Sequence, residues 1–481
     1  MGHRTSRPAA LSGLVAIMLA TAGLAHAGIR VRDYVLDIRF IPDRAELSGR
    51  ATVSFVPPAP TPAEVTFVLH GELEVSTVTI GAQPARFSQS KVLLPGEYSL
   101  VGTRVVVQTR GADLAAGMTV AYRGTFNPSN ARSSDQAIRI DRDGVVLAGS
   151  ESSPWFPVFE EEGGRRGPVT FKTVWLSLPE SFRALFPGRL ASEKLSGGQR
   201  ISEWVAEDVD PADVGCIARQ FSATDAGNLH VWHLADAHSV AAARSIASFA
   251  ARLAEQCAIT YRHDVANDAL YVVEVPGSVT FSGRNVVAIP DGAWRVFDIN
   301  PLARTTLARG LVRPYIAIRL PEGDRLTALA AVGFPAYLHL PILYLLSGGS
   351  SYDQAMAWIE GRYLRERAEL SRTTGSAARP EKPLATISAS EIAAPRENSL
   401  VADRASLFLN WLRSHIGPKA FFTFTADLFN RPQLDFDTFT RLVESYLPGS
   451  GADLHTWLET TEYPDRFRVA GAASSAPGRP R

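Results

Sequence analysis

The chain has 481 residues, 46% of them hydrophobic and 20% charged, with 49 Lys and Arg against 49 Asp and Glu. That balance argues against a nucleic-acid surface or a polybasic membrane binder, and the composition is that of a globular chain of two or three domains. The two cysteines, Cys216 and Cys257, exclude a disulfide framework and leave open only whether they form a single bridge.

Residues 1–27 read as an export signal. Arg4 and Arg7 precede an apolar segment, and the small residues AHA follow where a signal peptidase cuts. The expectation is an exported protein, periplasmic or extracellular, that begins near Gly28; an uncleaved membrane anchor is the competing reading.

From 28 to 222 the pattern is strand-like. In YVLDIRF, Tyr34, Leu36, Ile38 and Phe40 fall on one face, with Val35 and Asp37 on the other. ATVSFV, EVTFVLH, STVTIG, TRVVVQT and VTFKTVWLSL follow, separated by Pro and Gly turns. This predicts an all-β domain of saddle or sandwich type. Within it, LSGGQR at 195–200 spells the signature loop of ABC ATPases. No phosphate-cradling G-x-x-x-x-G-K-[ST] accompanies it, so the stretch reads as a β-turn.

The character changes near SATDAGNLH. His230, His233 and His238 stand close together in HVWHLADAH, and imidazole is a common metal ligand. On a strand, however, His230 and His233 point to opposite faces, and no Cys or carboxylate stands at a matching spacing. DAHSVAAARSIASFAARLAEQCA is an amphipathic helix capped by Asp236 or Ser239, and DALYVVEVP is a buried strand. Helices cover 306–320 and 326–346. The second run has no acidic or basic residue and is nearly long enough to cross a bilayer, but Gly333, Pro335, His339 and Pro341 favour a buried core segment without a membrane span. Residues 372–398 read as a polar, Pro-bearing loop. Helices DRASLFLNWLRSHIG, AFFTFTADLF and FDTFTRLVESYL follow, and 469–481 read as a disordered tail. The second domain is therefore 223–468, and the fold class is α+β.

No G-x-S-x-G elbow, nucleophilic-cysteine motif or H-E-x-x-H occurs in the chain. Yet YVLDIRFIPDRAELSGRATVSF, PWFPVFEEEG, YVVEVP and SGADLHTWLETTEYP follow one another in an order similar to that of the membrane-alanyl-aminopeptidase family. These are gluzincin zinc peptidases that include leukotriene hydrolase. The resemblance runs from about 30 to 468 and implies an N-terminal β domain followed by a thermolysin-like α/β domain rich in helices. In the family, a Glu ligand within Glu-Gly-Phe-x-x-Tyr comes nineteen positions after the second His of H-E-x-x-H. Here VGFPAY supplies Gly333, Phe334 and Tyr337, so Val332 holds the Glu position. Arg313 then stands at the second His, Arg309 at the first, and Gly310 at the catalytic Glu. The same resemblance puts Arg284 and Asn285 on the amine-anchoring G-A-M-E-N segment, Ala402 at the transition-state Tyr, and Arg404 at the nearby Lys.

The residue types decide the chemistry. A guanidinium has no lone pair to offer a cation and stays protonated, and glycine carries no base. The resemblance thus implies a degenerate member without zinc or any other cofactor, a pseudo-peptidase. Arg284, Asn285, Arg309, Arg313 and Arg404 would bind a peptide or protein partner, of acidic character if the guanidiniums face it. A hydrolase with a relocated site around His230, His233 and His238 is one alternative, and a membrane-associated subunit is the other.

Overall fold

A computed structural model describes residues 29–469, apart from 57–60, 95–100, 110–113, 127–137, 148–153, 161–168, 210–213, 262–268, 277–280, 283–284, 317, 319, 322, 348–349, 373–380, 389–390, 392–394 and 432. The export signal expected at 1–27, the tail from 470 and Arg284 lie outside the described residues.

The strand Arg30–Ile41 alternates as its sequence requires, with Tyr34, Leu36, Ile38 and Phe40 buried and Asp37 and Arg39 exposed. It pairs parallel with Val169–Pro179 and antiparallel with Glu46–Val56, near the middle of an eight-stranded sheet. Two four-stranded sheets complete this half, one containing Glu64–His70 and Val101–Gln108, the other Gly144–Leu147 and Cys216–Arg219. Their inward faces share a core rich in aromatic side chains, among them Phe40, Phe55, Phe67, Trp155, Phe156 and Trp204. LSGGQR is a hairpin turn: Gly197 and Gly198 join Arg189–Ser196 to Gln199–Val209 with φ of +58° and +73°. Two successive positive φ angles make the Gly-Gly pair the natural choice there.

A hairpin of Ser222–Ala226 and Leu229–His233 opens the second half. Leu229–His233 then pairs parallel with Leu270–Val275, which pairs parallel with Val286–Pro290. Both faces of this five-stranded sheet are covered. Leu229, Val231, Leu270, Val272, Val287 and Ile289 pack into the helical core, while Trp232, Tyr271, Val273, Val275, Val286 and Ala288 pack against the β half. Burial on both sides explains why LYVVEV is almost continuously apolar.

Helix α1 (Ala237–Tyr261) links the first two parallel strands. Asp236 caps it, accepting from the backbone N–H groups of His238 (3.1 Å) and Ser239 (3.0 Å). There follow α2 (Asp291–Arg295), α3 (Pro301–Val312), a π-helical turn (Leu329–Gly333), α4 (Phe334–Tyr337), α5 (His339–Ser347) and α6 (Ser350–Arg372). The last group is α7 (Pro395–Ile416), α8 (Pro418–Phe429), α9 (Phe436–Tyr446) and α10 (Gly451–Glu459). The expected loop at 372–398 is shorter than its polar composition suggests, because α7 already begins at Pro395 and a 3-10 turn occupies Leu384–Thr386. The 18-residue run Leu329–Leu346 is long and apolar enough to cross a membrane, but 61% of it is buried inside the fold. Cys216 and Cys257 are both free thiols, buried in the β core and the helical core respectively, so no bridge links them.

Candidate functional site

The site is built on α3. Asn300 caps this helix, its side chain accepting from Leu302 N–H at 2.9 Å, and Pro301 occupies the first turn. Leu307, Ala308, Gly310, Leu311 and Val312 turn toward the core, which leaves Arg309 exposed and Arg313 partly covered on the open side. Arg313 keeps helical dihedrals (φ −52°, ψ −44°) as the C-cap, so the two arginines remain one turn apart on one face.

Four side chains interact electrostatically with Arg309. Arg313 follows it in its own chain segment, Arg362 comes from α6, Asp403 from α7 and His339 from α5. Although Arg309 is open to solvent, these walls leave its guanidinium under-solvated. That crowding, together with the like charges of Arg313 and Arg362, lowers its proton affinity, which Asp403 partly restores. Among the described residues Arg309 makes no hydrogen bond or ion pair.

Arg362 and Asp403 form the fixed part of the site. Arg362 Nε donates to Asp403 Oδ2 at 2.7 Å and Nη2 donates to Oδ1, a two-pronged contact. Asp403 is 1% exposed. Burial pushes its carboxyl up while Arg362 opposes that shift, and the same pairing raises the Arg362 guanidinium. Trp358, one turn before Arg362 on α6, is 58% exposed, and the guanidinium sits 4.3 Å from the centre of its ring. Glu366, one turn after Arg362, adds negative charge beside the pair and accepts a hydrogen bond from Ser399 Oγ at 2.9 Å. His339 is buried, its Nδ1 lies 3.3 Å from Pro335 O, and desolvation followed by the charge of Arg309 holds its pKa down at about 3. The imidazole is therefore neutral at physiological pH.

The structure sorts the residues singled out from the sequence. Arg309 and Arg313 come together, and Gly310 is buried beneath them. Val332, 3% exposed, sits in the π turn within the helical core. Gly333 is there for packing: a Cβ on it would lie 2.6 Å from Ala405 Cβ, where the π turn crosses α7. Ala402 is buried on α7 beside Asp403. Two of the expected ligand-binding residues have structural roles. Asn285 clamps the two halves together: its Oδ1 accepts from Gly188 N–H at 2.9 Å, and its Nδ2 donates to Gly188 O and Ala269 O at 2.6 and 3.0 Å. Arg404, 1% exposed, donates to the carbonyls of Thr456, Trp457, Thr460 and Glu462, to Tyr363 Oη and to Glu381 Oε1. Its donors are engaged inside the protein, which leaves none for a ligand.

The three histidines do not converge. His230 Nδ1 lies 2.8 Å from Asp225 Oδ1, and its ring stacks on Tyr271. His233 is buried, between Leu234 O at 2.7 Å and Thr224 Oγ1 at 3.1 Å. His238 is exposed in the first turn of α1. Sequence reasoning missed Arg362, Asp403 and Trp358. The available signal was the i, i+4 spacing of Trp358 and Arg362 on an amphipathic helix.

No family model and no curated relative matches the chain. Solved structures do. A crystal structure of the M1 zinc metallopeptidase from Deinococcus radiodurans superposes with a TM-score of 0.59 at 17% identity, over 91% of this chain and 95% of that one. The same protein bound to a Tyr-Ser-Ala substrate gives 0.58 at 17% identity, over 91% and 95%. Native yeast LTA4 hydrolase gives 0.64 at 15% identity, over 92% of this chain and 70% of that one. The fold is that of these metallopeptidases. At the positions that the sequence resemblance assigns to the zinc ligands and base stand Arg309, Arg313, Val332 and Gly310, side chains that offer a cation no lone pair. Among the described residues no group of three or more His, Cys, Asp or Glu side chains is placed to hold a metal ion.

Proposed function

We propose that this chain, folded as the M1 zinc metallopeptidases are, is a catalytically inactive relative that uses the former catalytic recess to bind a peptide or a protein segment. One observation supports the reading: Arg309 and Arg313 stand one turn apart at the end of α3, at the two positions that the sequence resemblance assigns to zinc-binding histidines. A metal-activated water needs three donor ligands and an open coordination position. Positive side chains in those places repel a divalent ion, and Gly310 has no group to take a proton. Arg309 on α3 is in electrostatic reach of Arg362 on α6, Asp403 on α7 and His339 on α5, and the Deinococcus protein of this fold has been solved with a tripeptide substrate bound. An exported location, read from residues 1–27, is part of the proposal.

The test is metal quantification on the purified mature chain, paired with hydrolysis of aminoacyl-arylamides. The expected result is substoichiometric zinc and no release above buffer, including after zinc is added. Stoichiometric zinc with arylamide hydrolysis would sink the reading and favour an active hydrolase with its site elsewhere in the chain.

A further inference from the structure

The carboxyl ends of Leu229–His233, Leu270–Val275 and Val286–Pro290 lie side by side, and α1 and α2 start from them. Glu274, at the end of the middle strand, is 0% exposed and accepts the Leu234 N–H on Oε2 at 2.9 Å. Its Oε1 lies 2.9 Å from Ser239 Oγ, which lies 2.7 Å from Asp236 Oδ2. Ser239 is also 0% exposed, and its carbonyl accepts from Trp294 Nε1 of α2 at 3.2 Å. Three oxygens in a row need two hydrogens, and Ser239 supplies one. Asp236 collects the N–H groups of His238 and Ser239 besides that hydroxyl, which hold its carboxyl below the ordinary value, the hydroxyl most of all. The hydroxyl hydrogen therefore points to Asp236. The second hydrogen belongs on Glu274 Oε1, since otherwise two lone pairs would face each other inside the protein. The surroundings agree. Burial raises the Glu274 carboxyl, and Asp236 and Asp291, from the starts of α1 and α2, push it the same way. Arg219 reaches it from Cys216–Arg219 in the β half, and Arg295 of α2 acts on Asp236. The nearby His233 ring is committed to Leu234 O and Thr224 Oγ1, and His238 is exposed.

We propose that one proton, held between Glu274 and Ser239, is a pH-sensitive catch on the first turn of α1. While Glu274 Oε1 carries it, every member of the chain has a partner. Glu274 donates to Ser239, Ser239 donates to Asp236, and Asp236 caps the helix. When the proton passes to water as the pH rises, Glu274 becomes an acceptor and competes with Asp236 for the single hydroxyl hydrogen. Its charge then faces those of Asp236 and Asp291. Glu274 is fixed in the sheet, whereas Asp236 is exposed and free to turn to water. The cap is therefore the part that lets go, which uncovers the N–H groups of His238 and Ser239. The Trp294 bond to Ser239 O carries the change to α2.

The experiment is hydrogen exchange by mass spectrometry on the full mature chain, from mildly acidic to mildly alkaline pH, with each rate taken against the intrinsic rate at the same pH. The closed turn holds the proton more tightly than the frayed one. Protection at residues 238–240 should therefore fall by up to about tenfold per pH unit from the ordinary carboxylate range up to the pKa of the closed turn, and level off above it. Residues 250–261 of the same helix should keep their protection throughout. Glu274→Gln donates from Nε2 to Ser239, accepts from Leu234 with its oxygen and cannot titrate, so its turn should stay protected at every pH. Ser239→Ala breaks the link, so its turn should be less protected throughout and insensitive to pH. Infrared difference spectroscopy on the parent needs no variant: a protonated-carboxyl band should fade over the pH range in which the turn loses protection. That band should remain in Asp403→Asn, which removes another carboxyl raised by burial. Protection of the turn that does not change with pH, an equal pH dependence in Glu274→Gln or Ser239→Ala, or no carboxyl band that follows the turn would each overturn the proposal.

Discussion

Arg362 and Asp403 meet as a fork and a carboxylate, with Nε at 2.7 Å from Oδ2 and Nη2 on Oδ1, across the contact between α6 and α7. The two partners differ in exposure. The Arg362 side chain is 33% open to solvent, while that of Asp403 is 2% open. Removing either one therefore has a different consequence.

Arg362→Ala strands a buried carboxylate. We expect a loss of about 2–4 kcal/mol at neutral pH, below the full range for a buried pair because Arg362 is a third exposed. The loss should shrink as the pH falls, because protonation of Asp403 removes the uncompensated charge. Asp403→Asn leaves an arginine that can turn toward water, so it should cost less, about 1 kcal/mol. Urea unfolding of both variants between neutral and acid pH measures this. An Arg362→Ala cost that stays constant with pH would show that Asp403 is not the group left exposed to the loss.

His339 should make the protein acid-sensitive. Burial and the neighbouring Arg309 charge hold its pKa at about 3, against about 6.5 in an unfolded chain. Between those values the unfolded state binds a proton that the folded state refuses. The contribution of His339 is thus fully favourable above about 6.5 and is lost as pH falls toward 3, at up to about 1.4 kcal/mol per pH unit. His339→Gln keeps a donor for Pro335 O and cannot titrate, so its stability should vary less steeply over that window. Equal slopes for the variant and the parent would place the acid sensitivity on other groups.

How much of this was legible in the sequence depended on the range of the interaction. The alternation of Tyr34, Leu36, Ile38 and Phe40 is a local consequence of strand geometry, and so is the Asp236 cap of α1. The pairing of Arg362 with Asp403 spans 41 residues and leaves no periodic trace. Adjacent helical positions also point about 100° apart, so the resemblance that singles out Ala402 and Arg404 says nothing about the direction each side chain takes. Asp403 turns toward α6 and Arg309, while Arg404 turns away toward α10 and the residues after it. The contacts of Asn285 are hidden from the sequence for a similar reason. Its Gly188 partner is 97 residues away in the β half, so no local pattern could distinguish a clamp from a ligand contact.

Glu274 is harder to ionise than an exposed carboxylate. It is 0% exposed, and burial raises its pKa above the usual carboxylate range. Ser239 Oγ lies 2.9 Å from Glu274 Oε1 and 2.7 Å from Asp236 Oδ2. A hydroxyl has one hydrogen, so it cannot donate to both carboxylates fully; a protonated Glu274 donating to Ser239, which donates to Asp236, satisfies all three. The folded state then holds the proton more tightly than the unfolded state, and this group's contribution falls as pH rises from the unfolded pKa through the folded one. Glu274→Gln should remove that decline and stay within about 1 kcal/mol of the parent at neutral pH, whereas Glu274→Ala should cost about 2–4 kcal/mol by stranding Leu234 N–H and leaving a cavity. Glu274→Gln as damaging as Glu274→Ala would show that the ionised form is required.

Arg404 decides between the role suggested by resemblance and the role suggested by contacts. Its guanidinium ties α7 to the carbonyls of Thr456, Trp457, Thr460 and Glu462, and its Nη1 meets Glu381 at 3.0 Å. Lysine keeps the charge but presents three donors from one point, so it cannot reach this spread of acceptors. Arg404→Lys is expected to cost about 3–5 kcal/mol, the range for disrupting a buried charge network. Hydrogen exchange should quicken at residues 456–462, where the acceptors lie. A variant of unchanged stability and unchanged exchange at those residues would overturn the structural role read from these contacts.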